Sequence, residues 1–254
     1  MNTKTLFEAL ESADGTQRRH AALALGAVRE TGIAPRLIER LRAEGDSCVR
    51  EDITWAIVQH AGDAEGDLLG MLGSDDADDR RTAAHVLSKV GNPEHFEQVR
   101  PLVADEDADV AIKAYRAAAN TGGAAAAEAL SERLGDGDHL QRDALSNAFQ
   151  RIGEAGLPAL IAALGNADAR IREHAAETIG HVGGPEADSA AEALEALAGD
   201  GDAEVRLAAV SALGQLAFAA DEPLARIAQG DDPMLAAIAR RFVTDRGQAA
   251  KEAN

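Results

Sequence analysis

One glutamate and two histidines in the second half of the chain have the spacing of metal ligands. Glu177 and His181 are four residues apart, so both side chains would lie on one face of a helix, and His174 lies nearby. A carboxylate and an imidazole so placed can chelate a transition metal, but a catalytic site needs three or more converging ligands. No further ligand recurs at a matching position, so the sequence predicts no metal and no other cofactor.

These residues belong to a repeating pattern that covers the whole chain. Eight aspartates recur at intervals of 30 to 34 residues: Asp14, Asp46, Asp76, Asp107, Asp138, Asp168, Asp202 and Asp232. With each aspartate as slot zero, six of the eight copies carry an arginine at slot four: Arg18, Arg50, Arg80, Arg142, Arg172 and Arg206. Such a fixed period is typical of a solenoid built from stacked supersecondary units.

Each unit is predicted to contain two helices. An aspartate is a favoured helix N-cap because its carboxylate accepts backbone N–H groups of the first turn, so each slot-zero aspartate should begin the second helix of its unit. Apolar residues follow mainly at slots three, seven, ten, eleven and fourteen, which form one stripe on a helix. The first helices are rich in leucine and the second in alanine. Closer packing of the alanine layer would place the second helices on a concave side.

The repeated sequence motif resembles the motif of a known family. The stretches that begin at Asp202 and at Asp168 are similar to the short HEAT-like repeats first described in phycobilisome lyases, over roughly residues 3–247. The stretches around Trp55 and Lys89 also resemble small bacterial HEAT proteins. The resemblance implies an all-α fold, a right-handed α-solenoid of about eight two-helix HEAT-like repeats. In such a solenoid the slot-zero aspartates and slot-four arginines would tie neighbouring repeats together. It implies little about activity.

Composition limits the class of protein and its partners. Aromatic residues make up only 3% of the 254 residues and the register is unbroken, so residues 1–247 are expected to form a single domain and residues 248–254 a disordered tail. No apolar segment is long enough to cross a membrane and the N-terminus lacks signal-peptide features, which predicts a cytoplasmic protein. The net charge of −19 disfavours binding to nucleic acid or to anionic membranes.

On the second helices, slots five, nine and thirteen point away from the apolar stripe and are available to a partner. In the central repeats these slots and their flank hold one aromatic and several basic or amide side chains. The candidate binding residues are Trp55, Arg81, His85, Lys89, Lys113, Arg116, Asn147 and Arg151. Trp55 is the single tryptophan, and tryptophan is enriched among binding anchors. The alternative interpretation is a solvated helix face, with Trp55 packed against the adjacent repeat.

The sequence favours a non-catalytic interaction scaffold or adaptor that binds an acidic peptide, an acidic protein or another anionic ligand on its concave face. The alternative is an enzyme or accessory factor that acts on a small molecule. Resemblance to two HEAT-like classes suggests it: the bilin lyases, and the metal-dependent deoxyhypusine hydroxylases, whose ligands are paired His-Glu steps. Glu173-His174 has the reverse order and occurs in one repeat only, so the hydroxylase ligand set is incomplete.

Overall fold

The computed structural model describes residues 2–252, and every regular element in that range is a helix. The α-helices are α1 (Thr3–Leu10), α2 (Gly15–Ala27), α3 (Ile33–Ala43), α4 (Ser47–Gln59), α5 (Ala61–Met71), α6 (Ala77–Val90), α7 (Phe96–Val99), α8 (Ala108–Gly122), α9 (Ala127–Ser131), α10 (His139–Ile152), α11 (Leu157–Ala163), α12 (Ala169–Val182), α13 (Ala191–Leu197), α14 (Ala203–Gln215), α15 (Asp221–Ile227) and α16 (Pro233–Glu252). Short 3-10 turns lead into the odd-numbered helices from α7 onwards. The all-α prediction is confirmed.

The helices of residues 2–252 form eight successive pairs, each an odd-numbered helix followed by an even-numbered one. The chain divides into two compact units, with the division after Thr121. Each unit contains four helix pairs, and the two are described separately below. Helix α16 continues to Glu252, so residues 248–252 of the expected tail are helical, and residues 253–254 lie outside the described range.

The repeated aspartates begin the second helices, as predicted. Each of the eight accepts a hydrogen bond from a backbone N–H in the first turn of the helix that follows. The distance is 2.8 Å from the Thr16 nitrogen to the Asp14 carboxylate and 3.1 Å from the Gln141 nitrogen to that of Asp138. The period of the sequence is therefore the period of helix starts.

Within each unit, small residues allow second helices of neighbouring repeats to pack closely, most of all α2 with α4 and α12 with α14. Slot seven is buried in every repeat and is alanine in six of them: Ala21, Ile53, Ala83, Ala114, Leu145, Ala175, Ala209 and Ala239. At slot twelve, a Cβ atom added to Gly26 would lie 3.0 Å from the Ala56 Cα, and one added to Gly180 would lie 3.0 Å from the Ala212 Cα. Helices α2 and α4 in the first unit, and α12 and α14 in the second, are thus in near-backbone contact.

The slot-four arginines tie neighbouring repeats together, but mostly not through the slot-zero aspartates that the sequence suggests. Arg80 forms two hydrogen bonds with Asp105, at 2.8 and 2.9 Å, and Arg172 forms the same pair with Asp200. Both acids lie two residues before the next slot-zero aspartate and also accept its N–H. These hydrogen bonds from arginine lower the pKa of Asp105 and of Asp200. The expected pairing is wrong for Arg80 and Arg172 because the slot-zero carboxylates face their own helix N-termini, whereas Arg206 lies 3.8 Å from the slot-zero Asp232.

Candidate protein-interaction surface

The tryptophan of the first unit lies at the surface, beside a lysine of the next repeat. Trp55 is on α4 and is 45% exposed, which is high for so large an apolar side chain. The Nζ atom of Lys89, on α6, lies 4.6 Å from the centre of its ring. A cation over an aromatic face is an attractive contact, so Lys89 fixes the orientation of Trp55.

A glutamate joins Lys89 to the neighbouring histidine. The Glu51 Oε1 atom accepts a hydrogen bond of 2.7 Å from Lys89 Nζ, and its Oε2 atom lies 3.4 Å from His85 Nε2. The hydrogen bond from Lys89 lowers the pKa of Glu51, so the carboxylate stays ionised, whereas burial lowers the pKa of His85. A neutral His85 then presents Nε2–H to the carboxylate. Glu51, Trp55, His85 and Lys89 form one group, named here the Trp55 cluster.

The sequence treats Lys89 as an outward cation and Glu51 as a flanking charge. Instead, the Lys89 side chain is only 7% exposed, and Glu51 lies at the centre of the group. The reason is an offset between adjacent second helices: slot five of α4 faces slots nine and thirteen of α6. No pattern within one helix reveals that offset.

Two cations of α8 complete the basic part of this surface. Arg116 is exposed and Lys113 is half-buried, and within residues 2–252 neither forms an ion pair. Lys113 is close enough to His85 for its charge to help lower the histidine pKa, after burial as the main cause. Arg81, by contrast, is paired with Asp78 on its own helix at 2.8 Å. Of the predicted cations in the first unit, Lys113 and Arg116 are the ones available to a ligand.

One apolar residue of this surface was missed by the sequence analysis. Leu23, on α2, is 52% exposed and holds slot nine, the slot that Trp55 holds in the next repeat. Helices α2 and α4 pack against each other directly. Comparing slot nine across repeats would have revealed it, since leucine and tryptophan there have no core to enter.

The other two predicted binding residues belong to the second unit. Asn147 and Arg151 are both exposed on α10. The Asn147 side-chain oxygen lies 3.1 Å from His181 Nε2, and its nitrogen donates to the Asp143 carbonyl at 2.8 Å. A groove of about 510 Å³ crosses α10, α12 and α14, lined among others by Gln150, Glu177, His181, Ser211 and Gln215. Two glutamines and a serine share its walls with Glu177, His181 and three small residues.

The pair with metal-ligand spacing has other partners. Glu177 accepts a hydrogen bond of 2.7 Å from Arg142, and burial raises the pKa of Glu177. His174 is buried: its Nδ1 accepts the Gly135 N–H at 3.0 Å, and its Nε2 faces the Arg142 carbonyl at 3.2 Å. Burial, followed by the charge of Arg142, lowers the pKa of His174 to about 4. In the part of the chain that the structure describes, no three His, Cys, Asp or Glu side chains group as metal ligands.

The chain belongs to the HEAT repeat family. The family model for HEAT repeats matches residues 66–150, 140–214 and 157–241, which together make up well over half of the chain. This agrees with the helix pairs and with the repeated aspartates and arginines. The α-solenoid class of the fold is therefore established. A comparison with curated proteins finds no match.

Three solved structures are similar to this chain at low sequence identity, and the two with TM-scores above 0.5 support the α-solenoid fold. Importin beta is 16% identical with a TM-score of 0.57, and the match covers 96% of this chain and 42% of that one. A Kap121p mutant is 13% identical with a TM-score of 0.60, covering 94% and 33%. A chain of the CpcE and CpcF complex of phycocyanin lyase from Nostoc sp. PCC7120 is 18% identical, covers 96% and 94%, and has a TM-score of 0.44. Within residues 2–252, no helix has the length and apolar character needed to span a membrane.

Proposed function

We propose that this protein is an interaction module whose first unit binds an acidic, extended segment of a partner protein. The binding surface would be the outward side of α2, α4, α6 and α8. One observation carries the proposal: an exposed tryptophan, Trp55, is oriented by Lys89 and shares a surface with Lys113 and Arg116, which have no ion-pair partner within residues 2–252. An aromatic anchor beside unpaired positive charge suits a ligand with an apolar side chain and carboxylates.

The slot-nine residues define the direction of such a ligand. Along the second helices of the first unit they change from apolar to basic: Leu23, Trp55, His85 and Arg116. Packed helices lie roughly 10 Å apart, so Trp55 and Arg116, two helices apart, would be about 20 Å apart. About six residues of extended chain span that distance. A suitable segment therefore places an apolar residue at one end and acids about six residues away.

Membership of the HEAT family supports the general part of this proposal, namely that the protein binds an extended protein ligand. Stacked helix pairs present long continuous surfaces, which suit extended protein ligands better than small molecules. The large negative charge of the chain makes the local cations important for selectivity. A positive patch on an acidic protein can orient an acidic ligand only at short range, so binding should weaken as salt increases.

Calorimetric titration with three matched dodecapeptides tests the proposal. Each has a central leucine, flanked by glutamates, by lysines or by serines. We expect the glutamate peptide to bind at least about tenfold more tightly than the other two, and to change the emission of Trp55, the single tryptophan. Equal or tighter binding of the lysine peptide would refute the proposal.

Charge reversal locates the surface. The double substitution Lys113→Glu, Arg116→Glu should weaken binding of the glutamate peptide about tenfold or more, because both cations are accessible and unpaired. The matched control is Arg151→Glu, Arg241→Glu, which makes the same change in net charge on exposed residues of the second unit. If the control weakens binding equally, the effect is one of net charge and the assigned surface is incorrect.

A further inference from the structure

The position that a ligand carboxylate would take in the Trp55 cluster is already filled by a side chain of the protein. Glu51 places its two carboxylate oxygens 2.7 Å from Lys89 Nζ and 3.4 Å from His85 Nε2. Lys89 in turn lies over the Trp55 ring. An acidic ligand that approached the tryptophan would meet this carboxylate first.

We propose that Glu51 is an internal competitor for the acidic ligand, which binds by displacing the Glu51 carboxylate from Lys89 and His85. This inference rests on the proposed function, and it specifies the ligand group at the centre of the site as a carboxylate. Glu51 would then set the threshold of affinity that a partner must exceed.

The surroundings of Lys89 explain why a carboxylate beside it is strongly favoured. Its side chain is almost completely buried, and a buried ammonium without a counter-charge is strongly unfavourable. A ligand that removed Glu51 without supplying its own anion would leave Lys89 unpaired. Exchange of one carboxylate for another keeps the charge balanced, so the exchange has a low energetic cost.

Glu51 itself can leave without disrupting the fold. Its side chain is 44% exposed, and within residues 2–252 its ion pairs are those with Lys89 and His85. Once a ligand carboxylate pairs with Lys89, the departing Glu51 carboxylate is solvated by water. Rotation of the glutamate side chain into solvent needs no movement of α4 or α6. The same rotation uncovers the lysine for a ligand.

Tethering makes Glu51 selective as well as competitive. A group held on the same surface has an effective concentration on the order of millimolar or higher, so a free monocarboxylate cannot compete at lower concentrations. A peptide that also contacts Trp55 and Leu23 with an apolar side chain, and Arg116 with a second acid, has the extra binding energy to do so. The inferred ligand therefore carries at least two carboxylates and an apolar residue.

The test uses Glu51→Gln, which removes the charge and keeps the size of the side chain. Glu39→Gln, on the exposed side of α3, is the control with the same change in net charge. With the glutamate dodecapeptide as probe, we expect Glu51→Gln to bind about tenfold more tightly than the wild type and Glu39→Gln to bind like the wild type. Sodium acetate at millimolar concentration should compete with the peptide in Glu51→Gln but not in the wild type.

A second measurement does not depend on any ligand. The chain has four lysines, so acetylation of each can be followed by mass spectrometry, with the exposed Lys4 as an internal reference. Lys89 should react slowly in the wild type and several-fold faster in Glu51→Gln. Equal Lys89 reactivity in the two proteins, or unchanged peptide affinity, would overturn the inference.

The two proposals fail in different ways. If the wild type prefers the glutamate peptide and Glu51→Gln binds it no better, the competitor role is wrong and the interaction surface stands. If only Glu51→Gln binds the peptide, the competitor role is supported and the wild-type surface is not open to such segments. If neither protein prefers the glutamate peptide, both proposals are wrong.

Discussion

The two units use the same slots of the same kind of helix for different chemistry. At slot nine the first unit carries Leu23, Trp55, His85 and Arg116. The second unit carries Asn147, Glu177, Ser211 and Arg241. The first set offers an apolar anchor and unpaired positive charge, whereas the second offers one amide, one hydroxyl, a glutamate already paired with Arg142 and an arginine that lies 3.8 Å from Asp245 on its own helix. The scaffold therefore leaves the outward slots free to vary, and function must be inferred from them and not from the fold.

What the units share is the close packing between second helices, and this gives the largest expected effect. Gly26→Leu in the first unit and Gly180→Leu in the second should each destabilise the protein by about 3 kcal/mol, since a Cβ atom there already meets the backbone of Ala56 or Ala212. Urea unfolding measures both. Gly62→Leu is the control, because a Cβ atom at Gly62 meets nothing within 4 Å.

A large loss of stability for one glycine substitution and none for the other would contradict this expectation. It would mean that the two units do not depend on the same inter-helix packing. Equal losses would show that the shared part of the molecule is the small-residue layer, which is present in both units.

The next largest expected effect is a dependence of stability on pH, which is caused by the buried histidine of the second unit, His174. Because burial lowers the pKa of His174 to about 4 from an ordinary value of 6.5, the folded state resists its protonation. The free energy of unfolding should therefore be greatest above pH 6.5 and decrease by up to about 3 kcal/mol as the pH falls to 4. Urea unfolding at a series of pH values measures the decrease.

His174→Asn separates this effect from the titration of carboxylates. Asparagine keeps an acceptor for the Gly135 N–H but does not titrate, so the variant should be less stable at pH 7 and should lose less stability on acidification. An unchanged dependence on pH in the variant would exclude His174 as the source.

Substitution of a slot-four arginine should give the smallest change in stability. Comparing these arginines between repeats tests whether the same contact stabilises both units. Arg80→Ala in the first unit and Arg172→Ala in the second should each lower Tm by about 5 °C, because each loses two hydrogen bonds to an aspartate and leaves that acid unpaired. Arg142→Ala should lower Tm less, since its partner Glu177 is half-exposed. Thermal unfolding followed by circular dichroism distinguishes these cases.

The exposed Arg100→Ala is the control for loss of an arginine at the surface. If Arg142→Ala lowers Tm as much as Arg172→Ala, the paired acid two residues before the cap is not what makes the contacts of the slot-four arginines stabilising. If Arg80→Ala and Arg172→Ala differ greatly, these arginine contacts are not equivalent in the two units.

Much of the fold could be predicted because it depends on short-range chemistry. An aspartate caps the helix that follows it whatever the rest of the chain does, so all eight helix starts were found from spacing alone. Helical periodicity decides which side of a helix is apolar, so it places Trp55 on an outward slot, and Trp55 is indeed 45% exposed. Each of these predictions needs only the sequence of a single repeat.

The candidate site depended on contacts between repeats, which the sequence could not provide. Lys89 and Arg116 were both expected as outward cations, but Lys89 is buried and paired with Glu51, while Arg116 is exposed. The difference arises because the Glu51 side chain reaches Lys89, two turns further along the neighbouring second helix by slot number, and the Asn147 side chain likewise reaches His181, one turn further along. The spacing of residues within one helix does not reveal which residues of the next helix their side chains will contact.

The sequence by itself determined the HEAT class of this protein, the helix starts and the residues that face outward, since each follows from local capping and helical periodicity. Only the tertiary structure decided which outward charges are neutralised, which acid completes each arginine contact, and that the chain divides after Thr121. Those outcomes depend on how far one helix is shifted along the next. Small residues such as Gly26 and Gly180 bring neighbouring second helices into the near-backbone contact at which such side-chain contacts form.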